Sequence, residues 1–154
     1  MKINYIAIPA AALAVSFGGS WVTTQGMDWY KSLNLPGFTP PGALIGAVWT
    51  VIFILTAISA LIFWNKKVHD KNRKLIIALF VANAALNLLW SVLFFGFHLI
   101  GLSIIEMFAL NLTTFGLIMF LWQNYLASSL LLFPYLAWVT FATYLAYSVY
   151  ALQV

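Results

Sequence analysis

Long apolar stretches separated by short polar breaks dominate this chain. Residues 3–27 and 32–65 contain no Asp, Glu, Lys or Arg, and Glu106 is the only such residue in 75–154. A helix that crosses a bilayer needs about 20 consecutive apolar residues. On that measure the pattern predicts five spanning helices, at about residues 3–24, 44–64, 75–96, 99–121 and 129–152, with a loop over 25–43. These account for nearly all 154 residues, so the expected fold is a single all-α, five-helix membrane bundle over residues 1–154. The apolar run after Lys2 continues to Val22, longer than the core of a secretory signal, and reads as a retained helix.

Composition supports the membrane assignment. Hydrophobic residues make up 64% of the chain and charged residues 6%, which leaves a water-soluble domain too little polar surface. The absence of cysteine removes disulfides, thiolate catalysis and cysteine-ligated metals. No Gly-rich phosphate loop is present, and His69 and His98 fall in short loops where no Ser-His-Asp set can form. Neither histidine reads as a haem ligand, so no metal site, no required cofactor and no nucleic-acid partner is expected. Membrane lipid is the expected surrounding.

Charge sets orientation. Lys66, Lys67, Lys71, Arg73 and Lys74 crowd one short loop, and such loops stay on the cytoplasmic side. Five spans then put the N-terminus inside, where Lys2 agrees, and the C-terminus and the 25–43 loop outside the cytoplasmic membrane. The basic loop serves first as this topology signal; docking of anionic lipid or an acidic partner is the second reading.

Polar residues within the spans are not scattered. Asn83, Asn87, Trp90 and Ser91 share one side of the third helix, and Ser103, Glu106, Leu110 and Thr113 share a stripe of the fourth. An ionisable side chain within a span faces the bundle interior, so Glu106 points inward. At a rise of 1.5 Å per residue, Trp49 and Tyr147 lie roughly 8 Å from the outer end, Trp90 and Glu106 roughly 10 Å, Asn87 and Ala142 roughly 14 Å, and Trp138 roughly 21 Å. That predicts a pocket in the outer half of the bundle, with Trp138 as its floor. On the first helix Ala10, Ala14 and Gly18 make a small-residue stripe, suited to packing within the bundle or, second, to a dimer face.

The stretch "WYKSLNLPGFTPPG" at 29–42 is too polar for lipid, yet Trp29, Tyr30, Leu33, Leu35 and Phe38 seek burial. Pro36, Pro40 and Pro41 stiffen it while Gly37 and Gly42 provide turns. It reads either as a lid over the pocket mouth or as an aromatic belt at the headgroups.

"WYKSLNLPGFTPP", "LIGAVWTVIF", "ALNLLWSVLFFG" and "PYLAWVTFATYLAYSVY" together resemble the translocator protein (TspO/MBR) family, also called tryptophan-rich sensory proteins or peripheral-type benzodiazepine receptors. The resemblance covers about residues 29–150. It implies a five-helix membrane bundle, a homodimer, and a pocket in one half closed by the loop between helices 1 and 2. It also implies binding of porphyrins of the protoporphyrin IX class and other flat hydrophobic ligands, with light-dependent porphyrin breakdown in some members. The family positions correspond to Trp49, Asn87, Trp90, Glu106, Pro134, Tyr135, Trp138, Ala142 and Thr143, and Tyr147 joins them from the depth argument. Trp29, Tyr30, Pro36, Phe38, Pro40 and Pro41 belong to the lid. Phe38 and Thr39 stand where many members have Trp or His, and no Lys or Arg follows Tyr147 or Tyr150 to complete the animal sterol motif.

Two functions therefore stand. One is a tetrapyrrole-binding protein that sequesters or photo-oxidatively degrades its ligand, with Trp49 and Trp138 as redox partners and no conventional catalytic motif. The other is a carrier or sensor of such ligands without chemistry.

Overall fold

The computed structural model describes residues 3–154; Lys2 lies outside the described residues. Six helices form five crossings: α1 (Asn4–Lys31), α2 (Gly42–Asn65), α3 (Arg73–Ser91) continued by one π-helical turn (Val92–Gly96), α4 (Ile100–Trp122), and the pair α5 (Leu126–Leu130) and α6 (Phe133–Ala151). All five crossings are long and apolar enough to span a membrane. Helices suit this environment because each satisfies its own backbone hydrogen bonds, which lipid cannot do. Around the bundle, α1 packs on α2 and α3, α3 on α4, α4 on α6, and α2 closes the ring through α5 and α6.

Several boundaries differ from the sequence expectation, and the largest difference changes the loop. Residues 25–31 are helical, so the connection is only residues 32–41, and Trp29 and Tyr30 belong to the last turns of α1. Gln25, Asp28 and Lys31 look like an exit from lipid, but a helix tolerates polar residues on its exposed side. Burial on the other side sustains it: Tyr30 packs on Phe94 and Phe95, and Trp29 meets Phe94 edge-on at 5.6 Å. Gly26 makes this close approach feasible, since a Cβ there would collide with the backbone of Phe95. The exposed Asp28–Lys31 pair, at 3.9 Å, adds little. At the other end of the chain, the fifth span starts at Leu126 and breaks at 131–132, where Pro134 begins α6 in a position that needs no N–H donor.

The proline-rich loop is tied to α6. The Thr39 N–H and hydroxyl both donate to the Pro36 carbonyl, at 3.0 and 2.7 Å, closing a turn. Gln153 Nε2 donates to the Asn34 carbonyl at 2.9 Å, and Phe38 stacks on Tyr144 at 5.5 Å. Leu33 is partly buried against Phe94, Phe95, Met107 and their neighbours. Pro41, fixed near φ −57°, then starts α2 by accepting from Leu44 and Ile45.

Two buried clusters hold the bundle together. One joins Ile52, Phe63, Ile76, Leu110, Leu117, Ile118, Leu121, Tyr125, Leu132, Tyr135 and Val139; the other joins Phe94, Phe95, Ile100, Met107, Ala146 and Val149 near the loop end. Side-chain hydrogen bonds link helices between them. Asn83 Nδ2 donates to Thr114 Oγ1 at 2.9 Å, Asn111 Nδ2 to Thr143 Oγ1 at 3.0 Å, and the Ser59 and Ser128 hydroxyls meet at 2.7 Å. Gly18 faces Leu88 of α3 within the same chain, whereas Ala10 and Ala14 are exposed, so the small-residue stripe is not one continuous face.

Candidate functional site

An aromatic column runs through the loop end of the bundle. Phe53 and Trp49, one turn apart on α2, stack at 5.7 Å; Trp49 stacks on Trp90 of α3 at 6.3 Å; Trp90 stacks on Phe94 at 5.6 Å. Phe94 meets Trp29 of α1, whose indole lies nearly parallel to His98 with centroids 4.0 Å apart. Helical spacing builds part of this, because Trp49 and Phe53, and likewise Trp90 and Phe94, lie four residues apart. The rest comes from the hairpin between α3 and α4, where His98 takes a left-handed backbone, φ 59°. The Trp49–Trp90 stack bridges the two clusters, Trp49 packing on the first and Trp90 on the second.

Polar groups flank the column. Asn87 Nδ2 donates to the Tyr135 hydroxyl at 3.0 Å, fixing α3 to α6, and Tyr135 meets Trp49 edge-on at 6.1 Å. Glu106 is buried on α4, 7% exposed, one residue before Met107 of one cluster and four before Leu110 of the other. Both its carboxyl oxygens lack a hydrogen-bond partner among the described residues, as do the indole nitrogens of Trp90 and Trp138. Thr56 Oγ1 and the Tyr125 hydroxyl are in the same state, which makes six unpartnered buried polar atoms among the described residues, four of them on Trp90, Glu106 and Trp138. Most buried polar atoms are paired, so these call for an explanation.

The structure thus brings Trp49, Asn87, Trp90 and Tyr135 into contact and turns Glu106 inward. Ala142 is half-buried against the Phe94–Met107 cluster, alongside Trp29, Tyr30 and Trp90. Two expected members fall elsewhere. Tyr147 is 58% exposed on the outside of α6; its neighbour Ala146 takes the inward position. Depth alone cannot reveal this, because it carries no information about rotation around the helix. Trp138 is not a floor beneath the column; it borders a groove between α2 and α6 with Pro40, Val48, Pro134, Ala137 and Phe141. Pro40 is therefore the loop residue that meets a site candidate, while Trp29 and Tyr30 contribute from α1. Phe94, Met107 and the stacking of His98 had no signal in the residue pattern, since an apolar residue in an apolar helix does not announce its partner.

The sequence profile of the TspO/MBR family matches residues 6–152. The chain belongs to that family. Among its relatives, "Tryptophan-rich protein TspO" of Archaeoglobus fulgidus is 35% identical over 152 residues, covering 98% of this chain and 97% of that protein. "Protein CrtK" of Rhodobacter capsulatus is 30% identical over 99% of this chain and 95% of its own length. "Translocator protein" of Homo sapiens is 27% identical over 92% and 84% respectively. As a TspO/MBR member the chain is a multi-pass membrane protein, and its five crossings agree with that assignment. Of its seven tryptophans, Trp29, Trp49 and Trp90 sit in the aromatic column of this TspO/MBR bundle.

Proposed function

We propose that this TspO/MBR protein binds tetrapyrroles of the protoporphyrin IX class, and other flat hydrophobic molecules, between the aromatic column and α6. The observation that carries the reading is the coincidence of planar indoles with unpartnered polar atoms: Trp90 Nε1, Trp138 Nε1 and both oxygens of Glu106. A porphyrin offers what these lack, an apolar plane for stacking, ring N–H groups for a carboxyl, and propionates for indole donors. A mostly apolar site with a few converging polar groups is the usual form of a ligand pocket. Light absorbed by the bound macrocycle would supply the energy for its own oxidative breakdown by dioxygen, with Trp49 and Trp138 as the oxidisable neighbours. The name translocator protein among the relatives favours carriage without chemistry as the second reading.

A titration with protoporphyrin IX tests the binding. Ala142→Leu is expected to weaken it by roughly tenfold or more, because crowding the packed layer beside Trp90 costs about 1–3 kcal/mol. Unchanged affinity in the folded variant would put Ala142 outside the site. Illumination of the native complex then separates the readings: protein-dependent bleaching is expected, and its absence would leave the carrier reading.

The proposed orientation in the cytoplasmic membrane has the 32–41 loop outside and the Lys66–Lys74 loop inside, from the positive charge of the latter. In intact cells an impermeant thiol reagent is expected to label Thr39→Cys and spare Lys71→Cys. The opposite pattern would invert the bundle.

A further inference from the structure

Between α1, α2 and α3, with Tyr135 of α6 at one end, a cleft of about 230 Å³ runs from Phe53 and Asn87 beside the aromatic column to Trp64 at the other end of the bundle. Its walls are almost wholly apolar, including Ala12, Ala57, Phe63, Trp64, Ile77 and Ala84. From Phe53 to Trp64 along α2 it extends roughly 16 Å, at 1.5 Å per residue. Trp64 and Val81 on its rim are exposed, so it opens sideways to the surroundings of the bundle.

The basic loop lies at the mouth. The Arg73 guanidinium sits over the rings of Phe63, at 4.9 Å, and Trp64, at 5.6 Å, both of them cleft walls. It donates one hydrogen bond, to the Trp64 carbonyl at 3.2 Å, which leaves most of its five donors free. Among the described residues no carboxylate pairs with it. Asp70, the acidic residue of this loop, is engaged with the Asn72 N–H and with Asn124. Lys74 adjoins Arg73 and is exposed, and Lys67 and Lys71 add charge at the same end, while Lys66 reaches the Asn124 carbonyl.

We propose that this cleft is a binding site for an anionic phospholipid, one acyl chain lying between α1, α2 and α3 and the phosphate resting on Arg73. Length, apolar walls and lateral opening suit an acyl chain. The unpaired guanidinium, held in place by two aromatic rings, suits a phosphate, which it can engage bidentately. A basic pocket between spanning helices is a recognised form of lipid headgroup site. The cleft shares Phe53, Asn87 and Tyr135 with the edge of the proposed tetrapyrrole site, but Arg73 lies at its other end and the lipid reading does not depend on tetrapyrrole binding.

Trp64 reports occupancy directly. The whole protein is reconstituted in phosphatidylcholine vesicles containing a minor share of either phosphatidylglycerol or phosphatidylcholine brominated on its acyl chains, a contact quencher of indole emission. Subtracting the Trp64→Phe protein isolates Trp64 from the other tryptophans. The brominated phosphatidylglycerol is expected to quench Trp64 with roughly fivefold higher apparent affinity, the factor that ~1 kcal/mol per basic residue implies. Arg73→Gln should abolish that preference, and Ala84→Phe should reduce quenching by both lipids by filling the cleft, with helical circular dichroism retained in each. Equal quenching of native Trp64 by the two lipids would overturn the proposal without any variant, as would a preference that survives Arg73→Gln.

Discussion

Glu106→Met is expected to make the protein more stable and a poorer porphyrin binder at once. Both carboxyl oxygens of Glu106 are buried without a partner in the bundle, a state that costs about 1–3 kcal/mol for each unsatisfied group. Methionine has a similar unbranched length and no polar oxygens, so it removes the penalty while keeping contact with the clusters around Met107 and Leu110. For a chain of this size each kcal/mol corresponds to about 2–4 °C in thermal midpoint. If the carboxyl accepts from a tetrapyrrole ring N–H, its loss removes a charge-assisted hydrogen bond and lowers affinity about 10- to 100-fold. Stability gained at the expense of binding marks a residue kept for its ligand. A thermal scan in detergent and a protoporphyrin IX titration on the same preparation decide the matter. A lower midpoint would show that Glu106 is structural, and unchanged affinity would remove it from the site.

Trp138→Phe is expected to divide binding from photochemistry. Phenylalanine preserves an aromatic face beside Phe141 and Pro40, worth about 0.5–1.5 kcal/mol in packing, but is much harder to oxidise than indole. Because Trp138 Nε1 makes no hydrogen bond with the described residues, the substitution leaves no protein acceptor unsatisfied. Porphyrin affinity should fall by no more than about the 10- to 100-fold that loss of one indole hydrogen bond to a propionate accounts for, while light-dependent bleaching of the bound porphyrin falls to a small fraction of the native rate. Trp49→Phe, on the opposite side of the proposed site, should behave in the same direction. Bleaching at the native rate in both variants would dismiss these indoles as electron donors. A fall in thermal midpoint alone would mean that Trp138 only fills space, the smaller ring leaving a void.

The residue pattern by itself determined that the chain crosses a membrane five times, because backbone hydrogen bonding in lipid demands helices and bilayer thickness sets their length. It also determined that Glu106 faces inward, since charge is the exception in these spans and lipid excludes it. The rotation of the other helices was a different matter. In a soluble protein an apolar stripe points to the core, but here both the core and the lipid-facing surface are apolar, so Ala146 and Tyr147 are equally plausible inward residues until α6 packs against α4. For the same reason Trp138 could be placed by depth but not by direction.

Tertiary structure alone decided that α1 continues to Lys31, because only the π turn of α3 provides the surface that Trp29 and Tyr30 cover, and only Gly26 allows the approach. It likewise decided that the proline-rich segment is a ten-residue strap, residues 32–41, anchored by Phe38 on Tyr144 of α6 and by Asn34 on Gln153 just after that helix. The cleft beneath Arg73 belongs to the same class. Its walls come from α1, α2 and α3 with Tyr135 of α6, and the small side chains that create it, Ala12, Ala57 and Ala84, acquire meaning only when those helices meet.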